Sequence, residues 1–463
     1  MPIFRRVRLT SRIKSKEKSM LTKKIINSFQ QDKNIYIYTD VLTTNQIQHK
    51  NMSYGPLKNI KVLELAGLAP APMAGMILSD FGANVIRIDR AVNGYAQGAG
   101  PDDLARGKKS IALNLKSTEG QNALKKLVSV SDVIIEPFRP GVMERLGLGP
   151  EVLMKLNPKL IYARMTGYGQ GGVPIWGDRA GHDANYLALS GMLSMLRQNN
   201  NNMDHLGDAS RPFGPLNLLG DFAGGGLMCA LGILLAVIDR HSSGVGQIVD
   251  AAMVDGAAYL GTSLFKSVNA GKLGYNNERI GGNGFNQGAH WYNTYKTKDG
   301  KYVAVCAVEP QFYKAFIEGI GLNLNELPRQ MDRSQWQNMK KMCQDIFITK
   351  TRIEWEIQFD GVDACVTPVL DVMEAQNFPH SVERRTFLPS LKDPNTLEPT
   401  PAPHLSKSHN DFQLKPSPKP GQHTREVLEQ YMDKKEVDEM FTSGFASDKL
   451  RERKKKVKKV SKL

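Results

Sequence analysis

The chain has 463 residues, enough to bury a large core and to hold two domains. Its 41% of hydrophobic residues is ordinary for a globular protein. The formal net charge of +15 suggests nucleic acid only until it is mapped, because much of the excess lies near the two ends and describes the tails.

Residues 1–50 form a basic extension that carries Arg5, Arg6, Arg8, Arg12, Lys14 and Lys16 before its first acid, Glu17. A cationic, hydroxylated, acid-poor stretch has the composition of a mitochondrial transit peptide; a plain basic arm is the alternative, with Met20 or Met52 as later starts. Residues 60–65 alternate as a strand does and run into a Gly- and Pro-rich turn, Ala66 to Pro72. A helix over 73–81, closed by Gly82, and a strand over 84–90 complete a Rossmann-type strand–helix–strand unit. The turn lacks the G-x-G-x-x-G spacing, so a dinucleotide site has little support.

Cations then recur around the strand ends. Arg90 closes 84–90, Arg106, Lys108 and Lys109 lead into a strand over 110–116, and Arg139 and Arg145 follow one over 133–135. Strand ends of an open α/β sheet converge on its ligand crevice, and several cations there suit a ligand with several phosphates, such as coenzyme A. For any single arginine, a solvated basic face is the simpler explanation.

The chemistry concentrates in residues 180–191 and 216–226. His182 follows a glycine and precedes the helical pattern Tyr186, Leu187, Leu189 and Leu193, which puts the imidazole near a helix N-terminus. Asp221 opens the apolar run 222–238, where three glycines from Gly224 would let a substrate carbonyl come close to bare backbone. A satisfied core histidine and an ordinary helix cap explain each residue alone. Together they suit moving a proton on and off a carbon beside a carbonyl. The run 222–238 has borderline length for a membrane span, but its glycines and the flanking Asp221 and Asp239 favour a buried helix and no transmembrane segment.

Further along, the polar stretch 196–213 reads as a surface insertion, His290 as an exposed loop histidine, and Asp299-Gly300 as a hairpin turn. Cys229, Cys306, Cys343 and Cys365 show no metal-ligand spacing, so no metal is expected and a reducing compartment fits. The basic tail 441–463 ends in Ser461-Lys-Leu463, a peroxisomal address read by an import receptor.

Taken together, Glu64 to Pro72, Ser79 to Ala83, Arg106 to Ser110, Glu136 to Glu144, Leu160 to Arg164, the His182 and Asp221 stretches, Gly244 to Asp250 and Ala307 to Tyr313 carry a resemblance. Over about residues 57–432 the chain is similar to the α-methylacyl-CoA racemases of the family III CoA-transferase (CaiB/BaiF-like) superfamily. The resemblance implies an α/β fold: a Rossmann-like large domain with a parallel sheet over 55–250, completed by about 400–440, a linker over 251–285, and a smaller α+β domain over 286–385, assembled as an interlocked homodimer. It implies His182 and Asp221 as acid/base groups on opposite faces of the substrate α-carbon, with Glu309 hydrogen-bonded near the histidine. It also implies that Arg90, Leu113, Asn114, Leu115, Lys116, Arg139, Arg145, Gly181, Asp183, Ala184, Asn185 and Tyr186 hold the CoA portion. No cofactor is expected beyond the CoA that belongs to the substrate.

The expected activity is interconversion of (2R)- and (2S)-2-methylacyl-CoA thioesters, in branched-chain fatty acid and bile acid metabolism. Its enolate would be held by backbone donors near the Asp221–Gly226 turn. One rival is a CoA-transferase in which Asp221 attacks the thioester. Another is a non-catalytic CoA- or nucleic-acid-binding protein, which no RNP, KH or zinc-finger pattern supports. The chain departs from the racemase pattern at Gly288-Ala-His-Trp-Tyr292, where relatives tend to read Gly-Ala-Pro-Phe-Tyr, and the resemblance implies that this change bears on the shape of the acyl pocket.

Overall fold

A computed structural model describes residues 55–98, 103–196, 212–270, 285, 288–406 and 414–450. The extension 1–50, most of the 196–213 insertion and Ser461–Leu463 lie outside the described residues.

The main sheet contains the parallel strands β1 (Lys61–Leu65), β2 (Asn84–Val92), β4 (Lys109–Leu113), β5 (Val133–Glu136), β6 (Ile161–Thr166) and β7 (Ile248–Ala252). The short β3 (Tyr95–Gln97) folds back antiparallel on the end of β2. In space the parallel strands run β4-β2-β1-β5-β6-β7, so the winding direction reverses between β1 and β5. This is the Rossmann order, and ligands bind such sheets at the carboxyl ends beside the reversal.

Apolar side chains on both faces of the strands dictate helices on both sides. On one face, helix α1 (Pro70–Asp80) and residues 228–243 cover Val62, Val133, Ile135 and Ile161. On the other, Leu124 and Leu127 of helix α2 (Thr118–Val128) pack on Leu63 and Ile134. Each fully buried leucine of this kind contributes roughly 1.5–3 kcal/mol. Residues 421–447 return to this sheet: the Ala112 N–H donates to Thr424 Oγ1 at 3.0 Å, and Leu113 bridges to Ala446.

Two cations that the sequence offers to a phosphate are instead structural. Arg106 Nη2 lies 2.6 Å from Asp80, and its Nη1 donates to the Pro399 carbonyl at 2.8 Å. Lys108 Nζ lies 2.6 Å from Glu64 Oε2 with both side chains fully buried, and donates to the Pro72 carbonyl at 2.9 Å.

The apolar run is the middle of one helical stretch, Leu218–Ser243, long and apolar enough by composition to cross a membrane. Its first ten residues, Leu218–Leu227, wind as a wide π-helix, and Met228–Ser243 continue as helix α4 (α3 is Asp183–Leu189). The glycines serve packing rather than the approach of a substrate carbonyl. A Cβ on Gly224 would sit 2.8 Å from Ala257 N, one on Gly225 2.8 Å from Met253, and one on Gly226 2.7 Å from Met73. Residues 251–285 also hold more than a connection, because Met253–Leu260 (α5) is the helix those glycines meet. The expectation of a buried helix holds for one face only: Gly224–Gly226, Cys229, Ala230, Ile233, Ala236 and Val237 are buried, while Leu227, Leu231, Leu235 and Ile238 are exposed.

A second core surrounds the antiparallel strands β8 (Tyr292–Lys296), β9 (Tyr302–Cys306) and β10 (Val366–Pro368), where Tyr295, Phe316, Phe347 and Trp355 stack among the helices. Gly300, at φ 76°, makes the expected hairpin turn. His290 is not an exposed loop residue. Its side chain is buried in this core, Nε2 lies 2.8 Å from the Tyr313 hydroxyl, and Nδ1 has no hydrogen-bond partner. Burial, aided by the Lys340 charge, lowers its pKa to about 4. The unfolded chain, near 6.5, therefore binds a proton that the folded chain refuses between those values. The contribution of this histidine to stability is full above about pH 6.5 and is lost by up to about 1.4 kcal/mol per unit as pH falls from there to about 4. His290→Gln should flatten the pH dependence, narrowing the gap in urea midpoints between pH 7 and pH 5. An unchanged gap would show that this histidine is not the titrating group.

Candidate active site

The loops after β1 (66–69) and β5 (137–140) meet at the reversal of the sheet, so closely that a Cβ on Gly67 would sit 2.5 Å from the Pro137 ring. Two clefts open there, of about 480 and about 320 Å³, and both are lined by Leu68, His182 and Asp221. The larger has apolar walls from Ala66, Pro72, Leu104 and Phe222 above the charged Arg87, Asp89 and Lys108. The smaller is lined by Pro137, Phe138, Arg139, Tyr168, Arg179 and Tyr186.

His182 reaches this junction because the chain before it is locked. The Tyr186 hydroxyl donates to the Gly181 carbonyl, and a Cβ on Gly181 would sit 2.6 Å from the Tyr168 hydroxyl. His182 then caps helix α3, its N–H donating to Asn185 Oδ1 at 3.1 Å, with its side chain exposed to the clefts. Asp221 enters from the first turn of the π-helical segment and is half-buried. Burial raises its carboxyl pKa, the neighbouring Asp183 charge raises it further, and the Asn217 side chain and His182 act in the opposite direction. A carboxyl held above its usual range is better suited to giving a proton back as well as taking one.

The expected enolate donors need correction. The N–H groups of Gly220 and Asp221 donate to Asp183 Oδ2 at 2.6 and 2.7 Å, and that of Phe222 donates to the Asn217 carbonyl at 3.3 Å. Donors at this turn are therefore already engaged. In the first turn of α3 the Asn185 N–H is likewise taken, donating to the His182 carbonyl at 2.8 Å, whereas those of Asp183 and Ala184 come before any carbonyl the helix itself supplies.

The residues expected to hold CoA fall into groups. Gly181, Tyr186 and Arg139 line the smaller cleft, where Arg139 Nη1 donates to the Asp178 carbonyl at 2.9 Å. Burial pushes the Tyr186 hydroxyl up to about 12. Ala184 and Asn185 are exposed at the start of α3. Arg90 is exposed on β2 and in register with Leu113 of β4, after which Asn114, Leu115 and Lys116 continue along one edge; these residues line neither cleft. Arg145 is exposed on the single turn Val142–Arg145 and also lines neither cleft. Leu113 and Asp183 are buried, so neither offers its side chain to a ligand surface. Glu309 is the exposed cap of Pro310–Gly319, beside the second core, and lines neither cleft. Arg179 was not foreseen. It stacks over Trp176 at 4.3 Å and lines the smaller cleft together with Arg139, on a loop that a search of strand ends passes over.

A Rossmann-order sheet with an imidazole and a carboxyl group shared by two clefts at its reversal defines an α/β enzyme with acid/base chemistry. The sequence pattern of CoA-transferase family III matches residues 57–424. The Mus musculus protein named alpha-methylacyl-CoA racemase is 47% identical over 398 residues, covering 85% of this chain and 99% of the relative. Its Homo sapiens counterpart of the same name is 48% identical over 375 residues, covering 81% and 93%. The crystal structure of a CaiB/BaiF family protein from Brucella suis matches with a TM-score of 0.68 at 21% identity, over 82% of this chain and 100% of that one, a likeness of fold. The chain belongs to CoA-transferase family III.

Proposed function

We propose that the protein is an isomerase that interconverts (2R)- and (2S)-2-methylacyl-CoA thioesters. The observation that carries this reading is the position of His182 and Asp221, together at the junction of two clefts. A thioester lying across that junction would have its α-carbon between a base and an acid. The thioester carbonyl acidifies the α-hydrogen; one group takes it, and charge moves to the carbonyl oxygen as an enolate. The N–H groups of Asp183 and Ala184, at the start of α3, would hold that oxygen, each contributing about 3 kcal/mol. The other group then delivers its proton to the opposite face, and the two end the turnover with their protonation states exchanged. The raised pKa of Asp221 favours this exchange of roles. Arg139 and Arg179 in the smaller cleft supply cations for the phosphates of the CoA portion.

A CoA-transferase would use Asp221 as its nucleophile and has no evident use for a histidine at the same junction. Either pure epimer should converge on the same mixture when incubated with the protein alone. Epimers that stay distinct while CoA passes to an added free acid would favour the transferase.

We further propose that the working molecule is an interlocked homodimer. The exposed stripe Leu227, Leu231, Leu235 and Ile238 is an apolar face of the kind that a second subunit covers. Such an assembly is also the route by which Glu309 could approach a histidine whose clefts it does not line. Leu231→Asp combined with Leu235→Asp should yield monomers in sedimentation and reduce activity. A wild-type protein that sediments as a monomer at micromolar concentration would rule the dimer out.

For location, we propose delivery to peroxisomes through Ser461–Leu463, with a mitochondrial pool directed by residues 1–50. Peroxisomal import that survives removal of the last three residues would exclude that address.

A further inference from the structure

Asp183 is expected among the groups that hold CoA, yet its carboxylate faces the protein's own backbone. It follows His182 directly and is 4% exposed. A single oxygen, Oδ2, accepts two N–H groups, from Gly220 at 2.6 Å and from Asp221 at 2.7 Å. The contact is built tightly from the other side as well: a Cβ on Gly220 would sit 2.7 Å from Oδ2 and 3.0 Å from the Asp183 carbonyl. Charge-assisted bonds of this length are among the stronger hydrogen bonds in proteins. They also tie together two stretches distant in the chain, because Asp183 neighbours one acid/base residue and its carboxylate accepts from the N–H of the other.

We propose that Asp183 is a positioning residue, which holds the backbone of Asp221 at a fixed separation from that of His182 so that both groups address one α-carbon. This rests on the racemase reading. Two-base inversion requires both groups on the same carbon, whereas removal and return of a proton on one face requires only one. Loss of the clamp should therefore uncouple the two processes rather than slow them equally.

The test measures two rates in D2O from one epimer of a 2-methylacyl-CoA: deuterium entering the recovered starting epimer, and appearance of the opposite epimer. Their ratio does not depend on how much of a preparation is folded. A displacement near 1 Å can cost on the order of a hundredfold, so Asp183→Ala should raise the exchange-to-inversion ratio by about tenfold or more. Asp183→Asn still presents one oxygen in the place of Oδ2, and should return the ratio to within about twofold of wild type. Should the alanine variant fail to fold, Gly220→Ala strains the same contact from the opposite side and should raise the ratio in the same direction. The proposal is overturned if exchange and inversion fall in equal proportion, or if the asparagine variant uncouples them as fully as alanine does. Failure of the racemase reading is distinguishable, since the wild-type protein would then show neither exchange nor inversion.

Discussion

Asp221→Asn is expected to lower the interconversion of 2-methylacyl-CoA epimers by about a thousandfold, the usual scale for losing a positioned acid/base group. Affinity for the CoA ester should change little, because asparagine keeps the size of the side chain and the Asp221 N–H still donates to Asp183. His182→Gln should produce a loss of the same order for the same reason. Chiral chromatography of the product gives the rate, and calorimetric titration with a non-isomerisable CoA ester gives the affinity. More than a tenth of wild-type activity in either variant would remove that residue from the proton path. Equal loss of binding and turnover would move it to substrate recognition.

Lys108→Met is expected to be the most damaging single substitution for stability, at about 3–5 kcal/mol, because it strands a buried carboxylate. Glu64 lies fully buried beneath α1, its pKa raised by burial and pulled back chiefly by Lys108. Its second oxygen, Oε1, has no hydrogen-bond partner, so Lys108 is the main compensation for the charge. Adding Glu64→Gln to Lys108→Met removes the stranded charge and should recover a large part of the loss. The urea midpoints of the single and double variants decide this. Identical midpoints would mean that the pair contributes through packing and not through charge.

The sheet was legible because each strand is a short apolar run bounded by turn residues, and because cations and prolines mark the loops at its carboxyl edge. The helix start at His182 was legible as well, from the glycine before it and the apolar spacing after it. What sequence could not reveal depends on partners distant along the chain. Lys108 resembles a phosphate ligand until Glu64, 44 positions away, is seen at 2.6 Å. Gly224–Gly226 resemble a substrate cradle until α1 and α5 are found against them. Asp183 resembles a ligand contact until two N–H groups from residues 37 and 38 positions onward turn it inward. His290 lies in a polar, glycine-rich stretch that suggests exposure, and only the fold of the second core buries it. In each case the neighbour that decides the residue's role is distant in the chain and is supplied only by the fold.

The central claim is that the α-hydrogen moves and the thioester bond does not. One epimer of a 2-methylacyl-CoA, incubated with the wild-type protein in D2O without any acceptor acid, tests it directly by mass spectrometry and chiral separation. One deuterium at the α-carbon and accumulation of the opposite epimer are expected, with all CoA still esterified to the same acyl chain. A product free of deuterium, together with ready transfer of CoA once a free acid is added, would contradict it.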